Sequence, residues 1–414
     1  MHPEGLTDVV IVGGGIAGSA LALVLARQGL GVTVLERQPE YRDRVRGEQM
    51  ANWGFKEAVE MGIAGALEDA GGVFARRVIT HDALIPPEIA AASAADISQV
   101  LPGVPGSYCA GHPASCRALS TAAEAAGARY VRGIGSVKVS PGARPTVTYE
   151  LGERSYDVAA RLVVGADGRT STVRAQAGIP LHEQEIWHVI SGLLVDGVAT
   201  WPQDAFGLGA QGDTSFFIFP QGGQRVRLYT GTPLDQRQRY AGPAGVTQFL
   251  EDFRRLTCIP QAEALANATP IGPCATLGAE DTWTDVPFVE GVALIGDAAG
   301  YNNPIIGQGL SLALRDVHVL SDLLLSESSW SPGHLMPFAE ERKERSRRLR
   351  CHARLFAEFF AAYGPEGPAR RGRLFARLQD PNDAAQLLYA VPLAGPWLVP
   401  EWTFTEDYRA ALLN

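Results

Sequence analysis

A glycine-rich turn followed by an acid is the part of this sequence most able to bind a cofactor. The segment from Gly13 to Gly18 (GGGIAG) satisfies the pattern G-x-G-x-x-G, and Glu36 ends the next apolar run. In this pattern the glycines permit a tight turn, a close approach of the backbone to a pyrophosphate, and close packing of a helix on a sheet. The pyrophosphate then lies at the helix N-terminus, where N–H groups favour negative charge. The Glu36 carboxylate can accept from both ribose hydroxyls and would repel a 2′-phosphate, so the segment predicts FAD or NAD rather than NADP.

Two further segments far downstream end apolar runs in glycine and aspartate. One is VVGADG (163–168), which Ser171 follows, and the other is ALIGDAA (293–299), which Pro304 and Gly307-Gln308-Gly309 follow. A dehydrogenase would not need further glycine–aspartate segments, so the presence of two more favours FAD over NAD. Asp297 would lie at the carboxyl end of a strand, where ligands bind in an open α/β sheet. Asp167 has two interpretations: it braces the cofactor site or the approach of a pyridine nucleotide, or it caps the helix that begins after Ser171.

The three segments, in this order and at this spacing, resemble those of the flavoprotein aromatic hydroxylases, the single-component FAD monooxygenases of the 4-hydroxybenzoate hydroxylase type. The resemblance covers about residues 8 to 325, and the helical tail resembles antibiotic-pathway members more loosely. It implies that Asp297 holds the ribityl hydroxyls and that the following loop brings Pro304 to the flavin ring. The helix that begins near Gly309 would direct N–H groups at the N1–C2 carbonyl edge. Gly300 and Ser311 stand where the family usually has His and Asn, and neither departure removes a main-chain contact.

The resemblance also implies which residues bind the cofactor. Arg46 and Arg117 match arginines that approach FAD, because a planar guanidinium suits ribityl and phosphate oxygens, although either could be an ordinary surface arginine. The residues assigned to FAD are Gly13, Gly15, Ile16, Ala17, Gly18, Glu36, Arg37, Arg46, Arg117, Asp167, Gly296, Asp297, Gly307, Gly309 and Leu310.

A predicted hairpin supplies the candidate substrate pocket. The runs TSFFIFP (214–220) and RVRLYTG (225–231) are joined by Gln-Gly-Gly-Gln. The family position implies that Phe217, Phe219, Arg227 and Tyr229 face the substrate together with Pro304, or else that the aromatic rings fill the core of a second sheet. Such an aromatic pocket favours a large apolar aromatic or polyketide-like substrate. His188 is either a base for a phenol or a structural histidine. No catalytic residue is assigned beyond the flavin-face candidates Pro304 and Arg46, and no metal site is expected.

The implied activity is that of an FAD-dependent monooxygenase. Non-covalent FAD, reduced by transiently bound NAD(P)H, would react with O2 to form a flavin C4a-hydroperoxide that hydroxylates or epoxidises the small-molecule substrate. A halogenase of related fold would use a lysine in a tunnel and a Trp-x-Trp-x-Ile-Pro segment, but only Lys56, Lys138 and Lys343 occur and the segment does not. A prenyl reductase of the geranylgeranyl type stays open, because residues 215–220 faintly match its Tyr-x-Trp-x-Phe-Pro strand. A binding or chaperone module that keeps FAD as a structural element stays open as well.

Both strands and helices, predicted from the spacing of apolar residues, must position these side chains. Apolar runs predict strands at 9–12, 31–36 and 292–296, and helical spacing predicts helices at 16–28, 51–61, 114–127 and 309–326. We expect an α/β protein with a Rossmann-type FAD-binding domain (1–76, 106–184, 287–330), an interleaved β-sheet substrate domain (77–105, 185–286) and C-terminal helices (331–414). We expect the arginine-rich run 340–354 to form the solvated face of a long helix.

The composition limits the partners. The 414 residues include 45 acidic and 36 basic side chains, a net charge of −9 that argues against a nucleic-acid partner. The five cysteines are odd in number and lack a Cys-x-x-Cys spacing, which argues against a disulfide framework or a zinc site. Without a signal peptide or an apolar run of roughly 18 residues, we expect a cytoplasmic protein that does not span a membrane, as a monomer or homodimer.

Overall fold

The computed structural model describes residues 6–45 and 47–414, which form two large sheets with helices packed around them. The strands, in chain order, are β1 (Leu6–Val12), β2 (Val32–Glu36), β3 (Gln49–Met50), β4 (Val73–Ala75), β5 (Arg77–Asp82), β6 (Ala95–Asp96), β7 (Ser107–Cys109), β8 (Arg129–Arg132), β9 (Val137–Ser140), β10 (Thr146–Leu151), β11 (Arg154–Gly165), β12 (His182–Glu183), β13 (His188–Asp196), β14 (Ala205–Gln211), β15 (Thr214–Pro220), β16 (Val226–Pro233), β17 (Thr269–Pro270), β18 (Ala275–Gly278), β19 (Thr282–Trp283), β20 (Phe288–Val289) and β21 (Val292–Leu294).

The α-helices lie between and after these strands. They are α1 (Ile16–Arg27), α2 (Asn52–Glu60), α3 (Ala64–Glu68), α4 (Pro87–Ala92), α5 (His112–Ala125), α6 (Thr172–Gln176), α7 (Gly245–Arg254), α8 (Ala262–Ala266), α9 (Gly309–Ser326), α10 (Pro332–Phe360), α11 (Glu366–Arg377), α12 (Leu387–Ala394) and α13 (Glu406–Leu413). Short 3-10 turns at Gly296–Ala299 and Pro304–Ile306 separate β21 from α9. None of the helices in the described ranges is long and apolar enough to cross a membrane.

The first sheet brings the three glycine-rich segments to one edge. Its strand order is β20-β21-β11-β1-β2-β8, and β1 lies parallel between β11 and β2. Val12 is paired with both Gly165 and Leu35, and Leu294 is paired with Gly165. Because parallel strands end at the same edge, the turns after β1, β11 and β21 meet there with Glu36. Residues 9–12 of β1 and all five residues of β2 are buried, as is typical of strands covered on both faces.

The second sheet has the order β17-β13-β16-β15-β14-β5-β6, with β18 paired to β13. The predicted hairpin is confirmed, since β15 and β16 are antiparallel and pair Phe217 with Tyr229 and Phe219 with Arg227. The region 77–105, ambiguous from the sequence, contributes β5, β6 and α4. The two sheets with their surrounding helices confirm the predicted α/β class.

The arginine-rich run is helical as predicted, but its assignment to a solvated face is wrong at two positions. Arg342 and Arg345 on α10 are 2% and 0% exposed. Both donate to Asp316 of α9, which is itself fully buried. A buried guanidinium is tolerated when a carboxylate and carbonyls satisfy it, and the sequence near the arginines does not reveal a partner on another helix.

Candidate cofactor and substrate site

Of the three glycines that the G-x-G-x-x-G pattern requires in the first turn, two are crowded by backbone and one is open. Gly13 has a φ of +104°, and a Cβ there would lie 2.3 Å from the carbonyl oxygen of Ala166. A Cβ on Gly18 would lie 2.0 Å from the carbonyl oxygen of Gly13. Around Gly15 no atom lies within 4 Å of such a Cβ. The turn therefore leaves free space at the start of α1, where a pyrophosphate would bind.

Glu36 stands beside this turn at the end of β2. One carboxylate oxygen accepts from the backbone N–H of Gly14 at 2.6 Å, and the other accepts from that of Gln38 at 2.7 Å. The hydroxyl of Tyr41 donates to the carbonyl of Gly14 at 2.7 Å. These bonds hold the predicted ribose-binding carboxylate next to the open space beside Gly15.

A cavity of about 600 Å³ extends from this turn to the second sheet. Its wall includes most of the residues assigned to FAD, namely Gly13, Gly15, Ile16, Ala17, Glu36, Arg37, Asp167, Gly296, Asp297, Gly307, Gly309 and Leu310. It also includes four of the five residues assigned to the substrate pocket, namely Phe217, Phe219, Tyr229 and Pro304. The structure thus brings the two predicted groups into one continuous space.

Among the described residues, three that were predicted to bind the cofactor or substrate are not in this wall. Gly18 packs α1 on the turn, and Arg227 is buried in an ion pair behind the wall. Arg117 on α5 is exposed, whereas His112 and Cys116 of the same helix line the cavity. Because His112 and Cys116 are four residues apart, they share a helix face from which Arg117 is rotated by about 100°. Arg46 lies outside the residues that the structure describes.

Asp167 fits both of its interpretations. Its carboxylate accepts from the hydroxyl of Ser171 at 2.6 Å and from the backbone N–H of Thr172 at 2.7 Å, so it caps the start of α6. It also lines the cavity. On the same helix Arg174 donates to the carbonyl of Ala298 at 2.9 Å, which fixes the second glycine-rich segment to the third.

The third segment is held from behind by buried charges. The backbone N–H of Gly296 donates to Asp316 at 2.8 Å. Arg342 donates to Asp316 at 3.0 Å and to the carbonyl of Ala299 at 2.9 Å. The C-terminal helix α10 therefore positions the turn that carries Asp297, a role that no pattern near Arg342 in the sequence predicts.

The start of α9 is held in a similar way. Gln308 accepts from the indole N–H of Trp53 at 2.6 Å and donates to the carbonyl of Pro392 at 3.1 Å. A Cβ on Gly309 would meet no atom within 4 Å. The first N–H groups of a helix have no carbonyl partner within it, so this end of α9 offers donors to a flavin ring.

The far end of the cavity is apolar. The rings of Phe217 and Phe219 are stacked with centroids 6.2 Å apart, and Phe219 meets Tyr229 edge to face. The C-terminal helices add lining residues that the sequence analysis missed, namely Phe356, Tyr389, Pro392 and Leu393. Their apolar character alone could not separate them from core residues.

A buried charge cluster lies behind this aromatic wall. The guanidinium of Arg227 contacts both carboxylate oxygens of Asp43 at 2.7 Å and one oxygen of Glu48 at 3.1 Å. The hydroxyl of Tyr229 donates to the other oxygen of Glu48. Arg227 thus holds Asp43 and Glu48 in place, while Glu48 and Tyr229 line the cavity.

His188 is not part of this wall. It borders a separate small void with Asp281 and Asn303. Burial lowers the pKa of His188 to about 4, so the ring is neutral at neutral pH. This placement favours the structural interpretation of His188.

A family model described as the FAD binding domain matches residues 6–353 of the chain. The chain is 27% identical over 326 residues to squalene epoxidase 2, mitochondrial, of Arabidopsis thaliana, with 77% of this chain and 54% of that protein covered. It is 29% identical over 338 residues to 3-demethoxyubiquinol 3-hydroxylase of Escherichia coli (strain K12), with 78% of this chain and 81% of that protein covered. The chain spans 54% and 60% of the length of two Arabidopsis squalene epoxidases that it matches.

Solved structures share the fold. The p-nitrophenol 4-monooxygenase PnpA from Pseudomonas putida DLL-E4 has a TM-score of 0.79 at 17% identity, with 94% of this chain and 99% of that chain covered. The aklavinone-11 hydroxylase, in a complex with FAD and aklavinone, has a TM-score of 0.71 at 19% identity, with 86% and 69% covered. The family match confirms the resemblance predicted from the sequence. Residues 6–353 include all three glycine-rich segments and most of the chain, which therefore belongs to the FAD-binding domain family.

Proposed function

We propose that this protein is an FAD-dependent monooxygenase that uses NAD(P)H and O2 to hydroxylate or epoxidise an apolar aromatic or polyketide-like molecule. The observation that carries the proposal is that one continuous cavity has the glycine-rich turn and Glu36 at one end and the aromatic wall of the second sheet at the other. A cofactor and a substrate would share this space. Bound FAD would supply electron transfer from NAD(P)H and the activation of O2.

The residues of the chain would bind the cofactor and exclude water. Glu36 would accept from ribose hydroxyls, Asp297 would hold the ribityl chain, and the first N–H groups of α9 would face the flavin ring. Phe217, Phe219 and Tyr229 would orient the substrate and keep water from the reacting atoms. The predicted contact of Arg46 with the flavin stays a prediction, because this residue lies outside the described ranges.

The positions of the lysines bear on the alternative that the protein is a halogenase. Lys56 and Lys343 pair with surface acids and Lys138 is exposed on β9, so none of the three lysines, all within the described ranges, lines the cavity. A halogenase that depends on a lysine in a tunnel is therefore disfavoured. A reductase stays an alternative, because a digeranylgeranylglycerophospholipid reductase is 26% identical over 329 residues.

A substrate screen under labelled oxygen tests the proposal. The FAD-loaded protein is incubated with NADH or NADPH and a panel of polycyclic phenols and polyenes under ¹⁸O2, and NAD(P)H consumption and product mass are measured together. We expect substrate-stimulated consumption and a product that carries one labelled oxygen atom. Reduction of a double bond, or incorporation of bromide or chloride, would refute the monooxygenase proposal. Unstimulated consumption with every compound would favour a binding module.

The cytoplasmic location and a monomeric or homodimeric state stay predictions.

A further inference from the structure

The loop that carries Pro304 is held from behind by the segment around β19. Residues 299–306 connect the turn after β21 to the start of α9, and several of them line the cavity, namely Tyr301, Asn302, Pro304, Ile305 and Ile306. We refer to residues 281–284, which include β19, as the clamp segment. They contact this loop but are not part of the cavity wall. The clamp segment can therefore act on a molecule in the cavity only through the loop.

Asp281 makes the central contacts of the clamp segment. One of its carboxylate oxygens accepts from the side-chain amide of Asn302 at 2.6 Å and from the backbone N–H of Asn303 at 2.8 Å. The side chain of Asn303 in turn accepts from the backbone N–H of Ile305 at 3.1 Å. All three polar side chains are buried. These bonds fix the backbone on both sides of Pro304.

The two threonines of the clamp segment extend the contact along the loop. The backbone N–H of Thr282 donates to the carbonyl of Tyr301 at 2.7 Å, and the hydroxyl of Thr282 accepts from the N–H of Tyr301 at 2.9 Å. The hydroxyl of Thr284 donates to the carbonyl of Ala299 at 2.9 Å. The contact thus continues from Ala299 to Asn303.

Such a close approach requires glycine at position 300. Gly300 has a φ of +133°, and a Cβ there would lie 2.5 Å from the carbonyl oxygen of Thr282 and 2.6 Å from the Cα of Trp283. The clamp segment therefore occupies the space that a side chain at position 300 would need. Helix α10 covers the clamp segment, since the guanidinium of Arg350 lies over the ring of Trp283, 3.9 Å from its centroid.

We propose that Asp281 is a positioning residue that holds the loop of residues 299–306 in place beside the flavin ring. This inference rests on the cofactor of the proposed function and not on its substrate. Because both donors reach the same carboxylate oxygen, the loop needs one fixed acceptor at this point. Asparagine at position 281 can supply that acceptor, whereas alanine leaves the amide of Asn302 and the N–H of Asn303 without it.

The surroundings of Asp281 agree with this role. Burial raises the pKa of Asp281 to about 6, whereas the bonds from Asn303 and Asn302 and the nearby Arg350 lower it. The neighbouring Glu280 raises it further. The carboxyl group is therefore ionised at neutral pH, and its bonds to the two N–H donors are charge-assisted.

Flavin binding without turnover tests the inference. Each apoprotein is titrated with FAD, and fluorescence measures the Kd while visible circular dichroism of the bound flavin reports the surroundings of its ring. We expect Asp281→Ala to change the dichroism and to raise the Kd roughly tenfold, the effect of about one lost hydrogen bond. Asp281→Asn should retain the dichroism and bind FAD within about threefold of the original protein.

Asp285→Ala is the matched control. Asp285 lies four residues beyond Asp281, is exposed, and pairs with His182 and Lys343 rather than with the loop. We expect this control to retain both the Kd and the dichroism. Thr282→Val is a second test of the clamp segment, because it removes the hydroxyl that accepts from the loop and retains the shape of the side chain. It should change the dichroism in the same direction as Asp281→Ala, by a smaller amount.

Thermal unfolding verifies that each variant is folded. A folded Asp281→Ala protein with the original Kd and dichroism would overturn the inference, as would an Asp281→Asn protein that is altered as much as Asp281→Ala. If Asp281→Ala does not fold, Thr282→Val decides, and an original dichroism in that variant overturns the inference. An original protein that does not bind FAD would overturn the proposed function and the inference together. Flavin effects as expected, with no insertion of labelled oxygen into any substrate, would overturn the monooxygenase proposal alone.

Discussion

Substitution of Gly15 by valine should abolish tight FAD binding and leave the apoprotein folded. The backbone at Gly15 has φ of −67° and ψ of −169°, an extended conformation that valine adopts readily. No atom lies within 4 Å of a Cβ built there, so the folded chain accommodates the side chain. The same space is where a pyrophosphate would approach the start of α1. The substitution therefore separates cofactor binding from folding, which Gly13 and Gly18 cannot do because each is crowded by backbone.

The magnitude follows from the N–H groups at this helix start. The first intrahelical bond runs from Ser19 to the carbonyl of Gly15, so the N–H groups between them have no carbonyl partner within α1. A loss of two hydrogen bonds to a charged phosphate, at about 1.5 kcal/mol each, is about 3 kcal/mol. This energy corresponds to a Kd for FAD raised roughly 100-fold.

Fluorescence titration of the apoprotein with FAD measures the Kd, and chemical denaturation measures the free energy of unfolding. Gly65→Val is the matched control, since Gly65 lies exposed on α3 and a Cβ there also meets no atom within 4 Å. We expect this control to retain the original Kd. A Gly15→Val protein that binds FAD as tightly as the control would refute the assignment of this turn to the pyrophosphate.

Four further predictions test other parts of the molecule. Asp297→Ala should weaken FAD binding by about 1–3 kcal/mol through lost charge-assisted hydrogen bonds, and an unchanged Kd in the same titration would contradict its role. Arg342→Leu leaves the buried Asp316 with less compensation and should lower the free energy of unfolding by about 3–5 kcal/mol, measured by denaturation, whereas an effect below about 1 kcal/mol would show that Arg345 suffices. Burial raises the pKa of Asp281 to about 6, so the folded state binds more protons than the unfolded state between about pH 4 and 6. The free energy of unfolding that this group contributes therefore falls as the pH rises through that window. Asp281→Asn should therefore be more stable relative to the original protein at pH 7 than at pH 4, and a pH-independent difference in denaturation would be evidence against this ionisation. Phe217→Ala should open the aromatic wall to water, so that more of the reduced flavin produces peroxide instead of product. Peroxide, product and NAD(P)H are measured together, and we expect a lower ratio of product to NAD(P)H consumed.

The local units of the cofactor site could be predicted from the sequence alone. The strand, glycine turn and helix from β1 to α1 were predicted within a few residues, because apolar periodicity and the turn chemistry of glycine act over neighbouring residues. The helix α9 spans Gly309–Ser326 as its pattern predicts. The hairpin of β15 and β16 was likewise fixed by alternation and a short glycine-containing turn.

The distant side chains that complete the site could not be predicted in this way, because they depend on how remote segments pack together. Glu48 and Tyr229 meet across 181 positions of sequence, and Arg342 on α10, which lies 43 positions beyond Ala299, contacts the turn after β21. A charged side chain can be buried only where another segment supplies its partners, and that partner is chosen by packing rather than by neighbours in the chain. Arg117 is exposed on α5 outside the cavity wall, and its predicted contact with FAD stays a prediction. Residue types and local spacing therefore predict the cofactor-binding segments, whereas long-range packing determines which side chains surround them.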